Sequence, residues 1–137
     1  MNKVLFSSNS VDWSTPIWLF NILDHKFHFN VDLCASDSNH LCDIYYSLEN
    51  SCFNCDLEGY SIFCNPPYSR NMYSFISKCY DLSKKNKVVM LLPARTDTRW
   101  FHDFIYHKSE IVFLKGRLKF GGSKGSAPFP SMVVIYD

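Results

Sequence analysis

The run Val88–Pro93, "VVMLLP", constrains the fold more than any other stretch of this chain. Continuously apolar strands of this kind occur in parallel sheets that are covered on both faces. A second apolar run, Ser61–Cys64, is followed by Asn65 and two prolines, and proline cannot continue a hydrogen-bonded ladder. The two runs therefore predict a buried parallel sheet, with a loop that begins where the second run ends.

Helical patterns alternate with the predicted strands. One helix is predicted to begin at Thr15 and Pro16, where a capping hydroxyl precedes a proline at the first helical position. The other predicted helices start near Ser38, span Met72–Ser83 and follow a cap at Thr98, and the other predicted strands are Phe27–Leu33 (ending near Asp32), Ile44–Ser47 and Ile111–Leu114. Alternation of strands and helices is typical of an α/β fold.

The last part of the chain has a different pattern. The stretch "GRLKFGGSKGSAPFPSMVVIYD", residues 116–137, contains two strand-like runs that are separated by a loop of Gly, Ser and Pro. Such a loop between two strands is typical of a hairpin. We therefore expect an antiparallel hairpin that closes one edge of the sheet.

Length and charge limit the classes of function. With 137 residues, we expect residues 1–137 to form a single domain without a separate target-recognition domain. A formal net charge of +1 excludes a uniformly basic surface, although it allows a local basic patch. Neither an export signal nor an apolar span long enough to cross a membrane is recognisable, so we expect a cytoplasmic location.

Six cysteines raise the question of disulfides or metal. Without a secretory context, reduced thiols are the expected state. Cys52 and Cys55 form one CxxC pair, which suggests zinc, but no second pair and no suitably spaced histidines accompany it. A small zinc-binding DNA protein stays open as an alternative, and we predict no metal site.

The loop Asn65–Tyr68, "NPPY", offers a specific chemistry. The side-chain oxygen of Asn65 and the carbonyl of Pro66 are hydrogen-bond acceptors, and Tyr68 has a flat aromatic face. Two acceptors beside a stacking surface suit an amino group on a planar ring. Accepting hydrogen bonds from both N–H groups stabilises the positive charge that develops as the nitrogen attacks. A base in duplex DNA would have to flip out to reach such a loop.

The chain resembles the phage-type DNA N6-adenine methyltransferases of the Dam family. The matching stretches are "DWSTPIWLF", "VDLCAS", "IFCNPPYS", "VVMLLPARTDTRWFH", "GRLKF" and "APFPSMVVIY", which occur in order from about Asp12 to Tyr136. The resemblance implies a Rossmann-like class I fold that uses S-adenosylmethionine, with a mostly parallel sheet and a C-terminal antiparallel hairpin. It also implies transfer of methyl to a flipped adenine in DNA.

The resemblance assigns roles by position. Asn65, Pro66, Pro67 and Tyr68 fall on the family's catalytic loop. Residues expected to bind the cofactor are Trp13, Thr15, Pro16, Asp32, Cys34, Ala35, Asp56 and Asn65, with Glu49 as the candidate for the ribose contact. The cofactor loop "DLCASDS" lacks the glycines that are usual in methyltransferases.

Residues expected to contact DNA or the target base are Tyr68, Ser69, Arg70, Arg95, Arg99, Arg117, Lys119 and Phe120, with Lys124 and the pair Gly121–Gly122 in the same loop. Arginine and lysine side chains suit phosphate contacts, and an aromatic ring suits stacking. Other substrates stay open, namely adenine in RNA or glutamine in a protein, as does a catalytically inactive DNA-binding module. A homodimer or a partner protein is one source of further target specificity.

Overall fold

A computed structural model describes residues 13–121 and 125–137. In this part of the chain the helices are α1 (Ile17–Phe27) and α2 (Met72–Leu82), with a 3-10 turn at Cys52–Asn54 and a π-helical turn at Phe101–Ile105. The strands are β1 (Val31–Asp32), β2 (Ile44–Tyr45), β3 (Ser61–Cys64), β4 (Lys87–Pro93), β5 (Glu110–Phe113) and β6 (Ser131–Tyr136).

The strands form one sheet with the order β2-β1-β3-β4-β6-β5. Strands β1 to β4 are mutually parallel, whereas β6 is antiparallel to both β4 and β5. This mostly parallel sheet with an antiparallel C-terminal pair confirms the predicted fold class. The carboxyl ends of β1, β3 and β4 lie at the same edge of the sheet, so the loops after these strands meet there.

The sheet is covered on both faces. Along β4, Val88, Met90 and Leu92 face one apolar cluster that includes residues of α2. Val89 and Leu91 face the other cluster, which includes residues of α1. All five of these side chains are fully buried. Alternate side chains of one strand therefore fill two separate cores, which explains why the run is apolar throughout.

Helix α1 begins where the sequence predicts, but its cap was predicted wrongly. Pro16 is the residue before the helix, and no side chain caps it. The hydroxyl of Thr15 instead accepts a hydrogen bond from Asn65 Nδ2 at 3.0 Å. The predicted cap at Thr98 is correct, because its hydroxyl accepts from the Phe101 N–H at 3.3 Å.

Several predicted element bounds need correction. Strand β1 is confined to Val31–Asp32, because α1 includes Phe27, the first residue of the predicted strand, and His28 ends the helix in the left-handed conformation. No helix starts at Ser38, where Ser36 and Asn39 form an isolated antiparallel bridge instead. Residues 116–120 are not a strand; β6 pairs with β5 and lies inside the sheet, and β5 forms the edge.

The helical turn after Thr98 widens before it ends. The Tyr106 N–H donates to the Phe101 carbonyl, five residues earlier, at 2.9 Å, which is the π-helical pattern. This turn buries Phe101 and Ile105 against the face that α2 covers. Neither this turn nor any helix in the described ranges has the length and apolar character that spanning a membrane requires.

Candidate active site

A cavity of about 600 Å³ opens at the carboxyl edge of the parallel strands. Four parts of the chain line it: residues 13–15, residues 32–36 with Asn39 and Leu41, residues 46–49 and 51–53, and residues 65–69 with Asn71 and Phe75. The segments after β1, β2 and β3 thus converge with the segment before α1. Cavities of this size are typical of small-molecule sites, and this edge is where open α/β sheets bind ligands.

Asn65 is the first residue after β3, and its amide is held on one side. Its Nδ2 donates to the carbonyl of Trp13 at 2.7 Å and to the hydroxyl of Thr15 at 3.0 Å. Because a carbonyl oxygen can only accept, the amide nitrogen must face Trp13. The Asn65 Oδ1 is buried and has no hydrogen-bond partner among the described residues. A buried acceptor without a partner is uncommon in folded proteins and indicates a place for a donor.

Tyr68 is anchored at the far end of its ring. Its hydroxyl donates to the carbonyl of Leu91 at 3.0 Å, and the ring lies edge-on to Phe129 at 5.5 Å and to Phe120 at 6.2 Å. Burial raises the pKa of Tyr68 well above its ordinary value, so the phenol stays protonated. The side chain also lines the cavity. The ring therefore has a fixed position beside Asn65.

Asp32 organises the loop after β1. Its Oδ2 accepts from the Leu41 N–H at 2.9 Å, which joins the two ends of the glycine-free loop. The Asp32 carbonyl also accepts from the Tyr46 N–H at 3.1 Å. Burial raises the pKa of Asp32 to about 6. The Asp32 carboxyl group therefore lies at the cavity in a buried environment that disfavours its ionised form.

The other predicted cofactor residues divide into two groups. Trp13, Cys34 and Ala35 line the cavity, as does the exposed carboxylate of Glu49. Pro16 is buried next to the lining residue Thr15. Asp56 is exposed and is not among the lining residues, so the structure does not bring it into the site.

The predicted DNA-contacting residues are also divided. Ser69 lines the cavity, whereas Arg70 is exposed outside the lining. Phe120 is 1% exposed and lies edge-on to Trp13 at 5.3 Å, so it is a core residue that supports the site and presents no free ring to DNA. Lys124 and Gly122 lie outside the described residues.

The remaining predicted cations, Arg95, Arg99, Arg117 and Lys119, are exposed and are not among the residues that line the cavity. Arg95 lies over the ring of Phe129 at 5.7 Å, and Arg99 lies over the ring of Tyr73 at 4.6 Å. Arg117 and Lys119 are exposed on the segment that precedes Gly121, whose N–H donates to the Ser14 carbonyl at 3.0 Å. Since Ser14 lines the cavity, this segment runs beside it.

The sequence analysis missed most of one wall of the cavity. Tyr46, Phe53 and Phe75 line it, and the rings of Phe53 and Phe75 are 4.8 Å apart. The segment after β2 has no sustained period that would indicate a side-chain direction. The feature of the sequence that could have indicated a turn here is Ser51. Its hydroxyl accepts from the Phe53 N–H at 3.1 Å and caps the 3-10 turn. Within residues 13–121 and 125–137, no group of three or more His, Cys, Asp or Glu side chains could hold a metal ion.

Comparisons with known proteins agree on one family. The family model described as "DNA N-6-adenine-methyltransferase (Dam)" matches residues 5–135. The chain is 31% identical over 109 residues to the DNA N-6-adenine-methyltransferase of Escherichia phage T1, a match that covers 77% of this chain and 45% of that protein. It is 29% identical over 135 residues to the DNA N-6-adenine-methyltransferase of Haemophilus phage HP1, covering 91% of this chain and 78% of that protein.

The match to the T1 protein thus spans less than half of that relative's length. Among solved structures, a candidate methyltransferase from Thermoplasma acidophilum aligns with a TM-score of 0.46 at 9% identity. The alignment covers 84% of this chain and 62% of that one. A TM-score this low carries no argument, so the family assignment rests on the sequence comparisons.

Proposed function

Because the chain belongs to the DNA N-6-adenine-methyltransferase (Dam) family, we propose that it transfers methyl from S-adenosylmethionine to the exocyclic amino group of adenine in DNA. The observation that carries this proposal is the Oδ1 of Asn65, a buried acceptor with no partner in the described part of the chain. The amino group of adenine has two N–H donors. One would reach Asn65 Oδ1, and the second would reach the carbonyl of Pro66.

Two acceptors at this position favour attack by the nitrogen. The lone pair of an aromatic amino group is delocalised into the ring, which makes the nitrogen a poor nucleophile. Hydrogen bonds from both N–H groups to fixed oxygens favour a pyramidal nitrogen and stabilise the positive charge that forms during transfer. Because an amide does not ionise in the physiological range, Asn65 would act through its dipole and would not remove the proton as a base.

The segment before α1 fixes the orientation of this amide. Both hydrogens of Asn65 Nδ2 are used, by the Trp13 carbonyl and the Thr15 hydroxyl. Rotating the amide by half a turn would place its oxygen against the carbonyl oxygen of Trp13, which is repulsive. Thr15 and Trp13 therefore keep Oδ1 available for a substrate, and catalytic geometry of this kind depends on such pre-set dipoles.

Tyr68 would supply the stacking surface. Its hydroxyl bond to the Leu91 carbonyl and its edge contacts with Phe120 and Phe129 fix the ring before a base arrives. A flipped adenine would stack on this ring, and stacking of a base on an aromatic side chain contributes about 1–3 kcal/mol. A pre-fixed ring loses little conformational freedom on binding, which favours capture of the base.

The residues around the cavity fit S-adenosylmethionine. The volume of about 600 Å³ suits a ligand of that size, and the lining combines aromatic rings with polar groups. Phe53 and Phe75 would hold the adenine ring, Glu49 the ribose hydroxyls, and the Thr15–Pro16 and Asp32–Ala35 segments the methionine part. When bound, S-adenosylmethionine supplies an electrophilic methyl group on a positively charged sulfur. Alignment of the two reactants would contribute much of the rate.

DNA would approach over the exposed cations. Arg95, Arg99, Arg117 and Lys119 are exposed and would contact phosphates, which position the duplex without reading its sequence. A second copy of the chain or a partner protein would supply further sequence recognition. The named relatives are phage proteins, and we propose that this protein likewise acts on DNA in the cytoplasm of a host cell.

The test is transfer of labelled methyl from S-adenosylmethionine to unmethylated DNA, with nucleoside analysis of the product. We expect N6-methyladenine with the unchanged protein and a loss of about 10²–10³-fold or more with Asn65→Ala, because one preorganised acceptor is removed. Binding of S-adenosylmethionine to the variant, measured by calorimetry, should be retained. An Asn65→Ala protein that transfers methyl at the original rate would refute the role of this residue.

The same assay separates the alternatives. Methylation of RNA or of a glutamine-containing protein, with DNA left unmodified, would keep the methyl-transfer chemistry and change the substrate. Binding of DNA without binding of S-adenosylmethionine would favour an inactive DNA-binding module. Zinc in the purified protein would support the alternative based on Cys52 and Cys55.

A further inference from the structure

Four cysteine thiols are neighbours at the cavity and below it, and none of them reacts in the proposed methyl transfer, although Cys34 belongs to the segment that would hold the methionine part. The Cys34 and Cys64 sulfurs are 3.5 Å apart. Cys52 lies close enough to Cys34 to lower the pKa of Cys34, and Cys79 lies close enough to Cys64 to raise the pKa of Cys64. The order of neighbours is therefore Cys52, Cys34, Cys64, Cys79, which we call the thiol row.

The fold itself brings these residues together. Cys64 is the last residue of β3, and Cys34 comes shortly after the end of β1, the neighbouring strand. Just before Cys34, the Leu33 N–H donates to the Phe63 carbonyl at 2.9 Å, so the two segments are still paired there. Cys79 is on α2, which packs on this face of the sheet, and Cys52 is in the 3-10 turn. Hydrogen-bonded backbone on both strands thus sets the separation of the two central sulfurs.

The members of the thiol row differ in access. Cys64 and Cys79 are fully buried, and Cys52 is 3% exposed. Cys34 and Cys52 both line the cavity, but Cys34 is half-buried and is the more exposed of the two. A reagent that enters the cavity would therefore meet Cys34 first, with the Cys64 sulfur 3.5 Å from it.

The protonation states favour the same residue. The neighbouring thiols of Cys52 and Cys64 lower the pKa of Cys34 below its ordinary value, whereas burial raises the pKa of Cys55. The thiolate is the nucleophilic form of cysteine, and reactive cysteines are accessible ones with a stabilised thiolate. Cys55 has a similar half-buried exposure and lies outside the row, so it is a matched comparison within the same chain.

We propose that Cys34 and Cys64 form an oxidisable dithiol, with Cys34 as the site that hydroperoxides modify and Cys64 as the thiol that completes the disulfide. In the first step the Cys34 sulfur attacks the peroxide oxygen, the O–O bond breaks, and a sulfenic acid and an alcohol (or water) form. In the second step the Cys64 sulfur attacks the Cys34 sulfur, the S–O bond breaks, and water leaves. Overall, two thiols are oxidised and one hydroperoxide is reduced.

Formation of this bond would alter the cavity. The two sulfurs would move from 3.5 Å to about 2.05 Å apart, drawing the loop after β1 towards β3. Ala35 and Leu33, which flank Cys34, line the cavity and would move with it. The inference does not rest on methyl transfer, because the oxidation is detected by mass whatever the ligand of the cavity.

The experiment treats the folded, reduced protein with a small excess of hydrogen peroxide, then unfolds it and blocks the remaining thiols with N-ethylmaleimide. We expect a product that has lost two hydrogen atoms, and peptide mapping should find Cys34 joined to Cys64. Cys55 should be recovered as the blocked thiol, oxidised at least about tenfold more slowly than Cys34. Oxidation of Cys55 at the rate of Cys34, or a disulfide that joins any other pair, would overturn the proposal.

Variants sharpen the result. With Cys64→Ala the disulfide should not form, and the sulfenic acid on Cys34 should be trapped by a cyclic 1,3-dione. Cys55→Ala is the matched control and should oxidise as the unchanged protein does. If Cys64→Ala still loses two hydrogen atoms, Cys64 is not the resolving thiol and the proposed pair is wrong. Mapping of the unchanged protein decides the matter even if a variant fails to fold.

Discussion

Asn86 and Asn65 are two asparagines at opposite edges of the sheet. Their side chains differ in whether the Oδ1 atom has a hydrogen-bond partner. The Nδ2 of each donates two hydrogen bonds, from Asn86 to the carbonyls of Leu57 and Leu82 at 2.8 and 2.9 Å. The Asn86 Oδ1 also accepts from the Tyr60 N–H at 2.9 Å. The Asn65 Oδ1 accepts nothing from the described residues. Asn86 is therefore fully satisfied, whereas Asn65 has one acceptor left over.

The difference extends along both edges. At the amino edge, Asn30 Oδ1 accepts from the Ser61 N–H at 3.0 Å, and the Ser61 hydroxyl donates to the Phe27 carbonyl at 2.7 Å. At the carboxyl edge, the hydroxyl of Ser131, which pairs with Pro93, is a second buried group without a partner in the described ranges. At the amino edge these polar groups are paired within the fold, whereas Asn65, which lines the cavity at the carboxyl edge, keeps an acceptor that a ligand would satisfy.

The largest expected effect tests this contrast directly. Asn86→Ala removes three hydrogen bonds and should lower the free energy of unfolding by about 3 kcal/mol. Asn65→Ala removes two hydrogen bonds but also an unpaired buried acceptor, so the free energy of unfolding should change by less than about 1 kcal/mol. Urea denaturation of both variants gives the comparison. Equal losses of stability would show that the two edges do not differ in this way.

The second effect concerns the charge at Asp32. Because burial raises the pKa of Asp32 from 3.8 to about 6 in the folded state, the folded protein binds the proton more tightly than the unfolded chain. The stabilisation that comes from this tighter proton binding at Asp32 is fully present below about pH 4, and it is lost as the pH rises to about 6. Asp32→Asn, which can still accept from the Leu41 N–H, should therefore raise the free energy of unfolding by about 2 kcal/mol at pH 8.

Thermal unfolding of the Asp32→Asn variant across the pH range checks this sign. The variant and the unchanged protein should have the same stability at pH 3. A variant that is less stable at pH 8 would mean that a partner of the charged carboxylate outweighs the effect of burial. The variant Asp43→Asn, which makes the same chemical change at an exposed position, is the matched control.

A smaller effect tests the positioning of Asn65. Thr15→Val keeps the shape of the side chain but removes the hydroxyl that accepts from Asn65 Nδ2. We expect kcat for methyl transfer, measured at saturating S-adenosylmethionine, to fall about tenfold, and Thr15→Ser should restore the rate. An unchanged kcat at saturating cofactor, with only the Kd for S-adenosylmethionine raised, would mean that the Thr15 hydroxyl serves the cofactor contact alone.

The smallest expected effect concerns the exposed cations. If Arg95 contacts one phosphate, Arg95→Ala should reduce the salt dependence of DNA affinity by about one counterion, measured as the slope of log K against log salt concentration. Exposed Lys26 on α1, which lies over the ring of Phe27, is a matched control that should leave the slope unchanged when replaced by alanine. An unchanged slope for Arg95→Ala would remove this residue from the DNA-contacting surface.

The sequence predicted the elements whose residues have one clear pattern, which is either a continuous apolar run or a helical period. Strands β3 and β4 and helix α2 occur where their apolar patterns placed them, because burial on fixed faces leaves a regular signal. The run at residues 116–120 imitates a strand, since Leu118 and Phe120 alternate with Arg117 and Lys119. Both apolar side chains are indeed buried, but against the face covered by α1 and outside the sheet. Alternation of apolar and polar residues therefore indicates which side chains are buried, but it does not indicate whether the segment pairs with a strand.

The site shows the same limit. Asn65 and Tyr68 were predicted from a loop that follows a strand, where position along the chain implies position in space, whereas Thr15 and Asp32 were assigned from the family resemblance. Phe53 and Phe75 could not be paired from the sequence, because a 3-10 turn and a distant helix bring them together. Phe120 was predicted to touch DNA from its basic neighbours, yet it packs against Phe129 and against Trp13, which is remote in the sequence.

The position of β6 between β4 and β5 has a consequence for synthesis of the chain. Val88 pairs with Tyr136, and Glu110 pairs with Ile135, so neither β4 nor β5 has its antiparallel neighbour until residues 131–136 leave the ribosome. Until then the most apolar strand has an unpaired edge, which is the kind of surface that associates with other chains. Completion of this sheet therefore waits until β6 has been synthesised, and one edge of β4 stays open over the interval between β4 and β6.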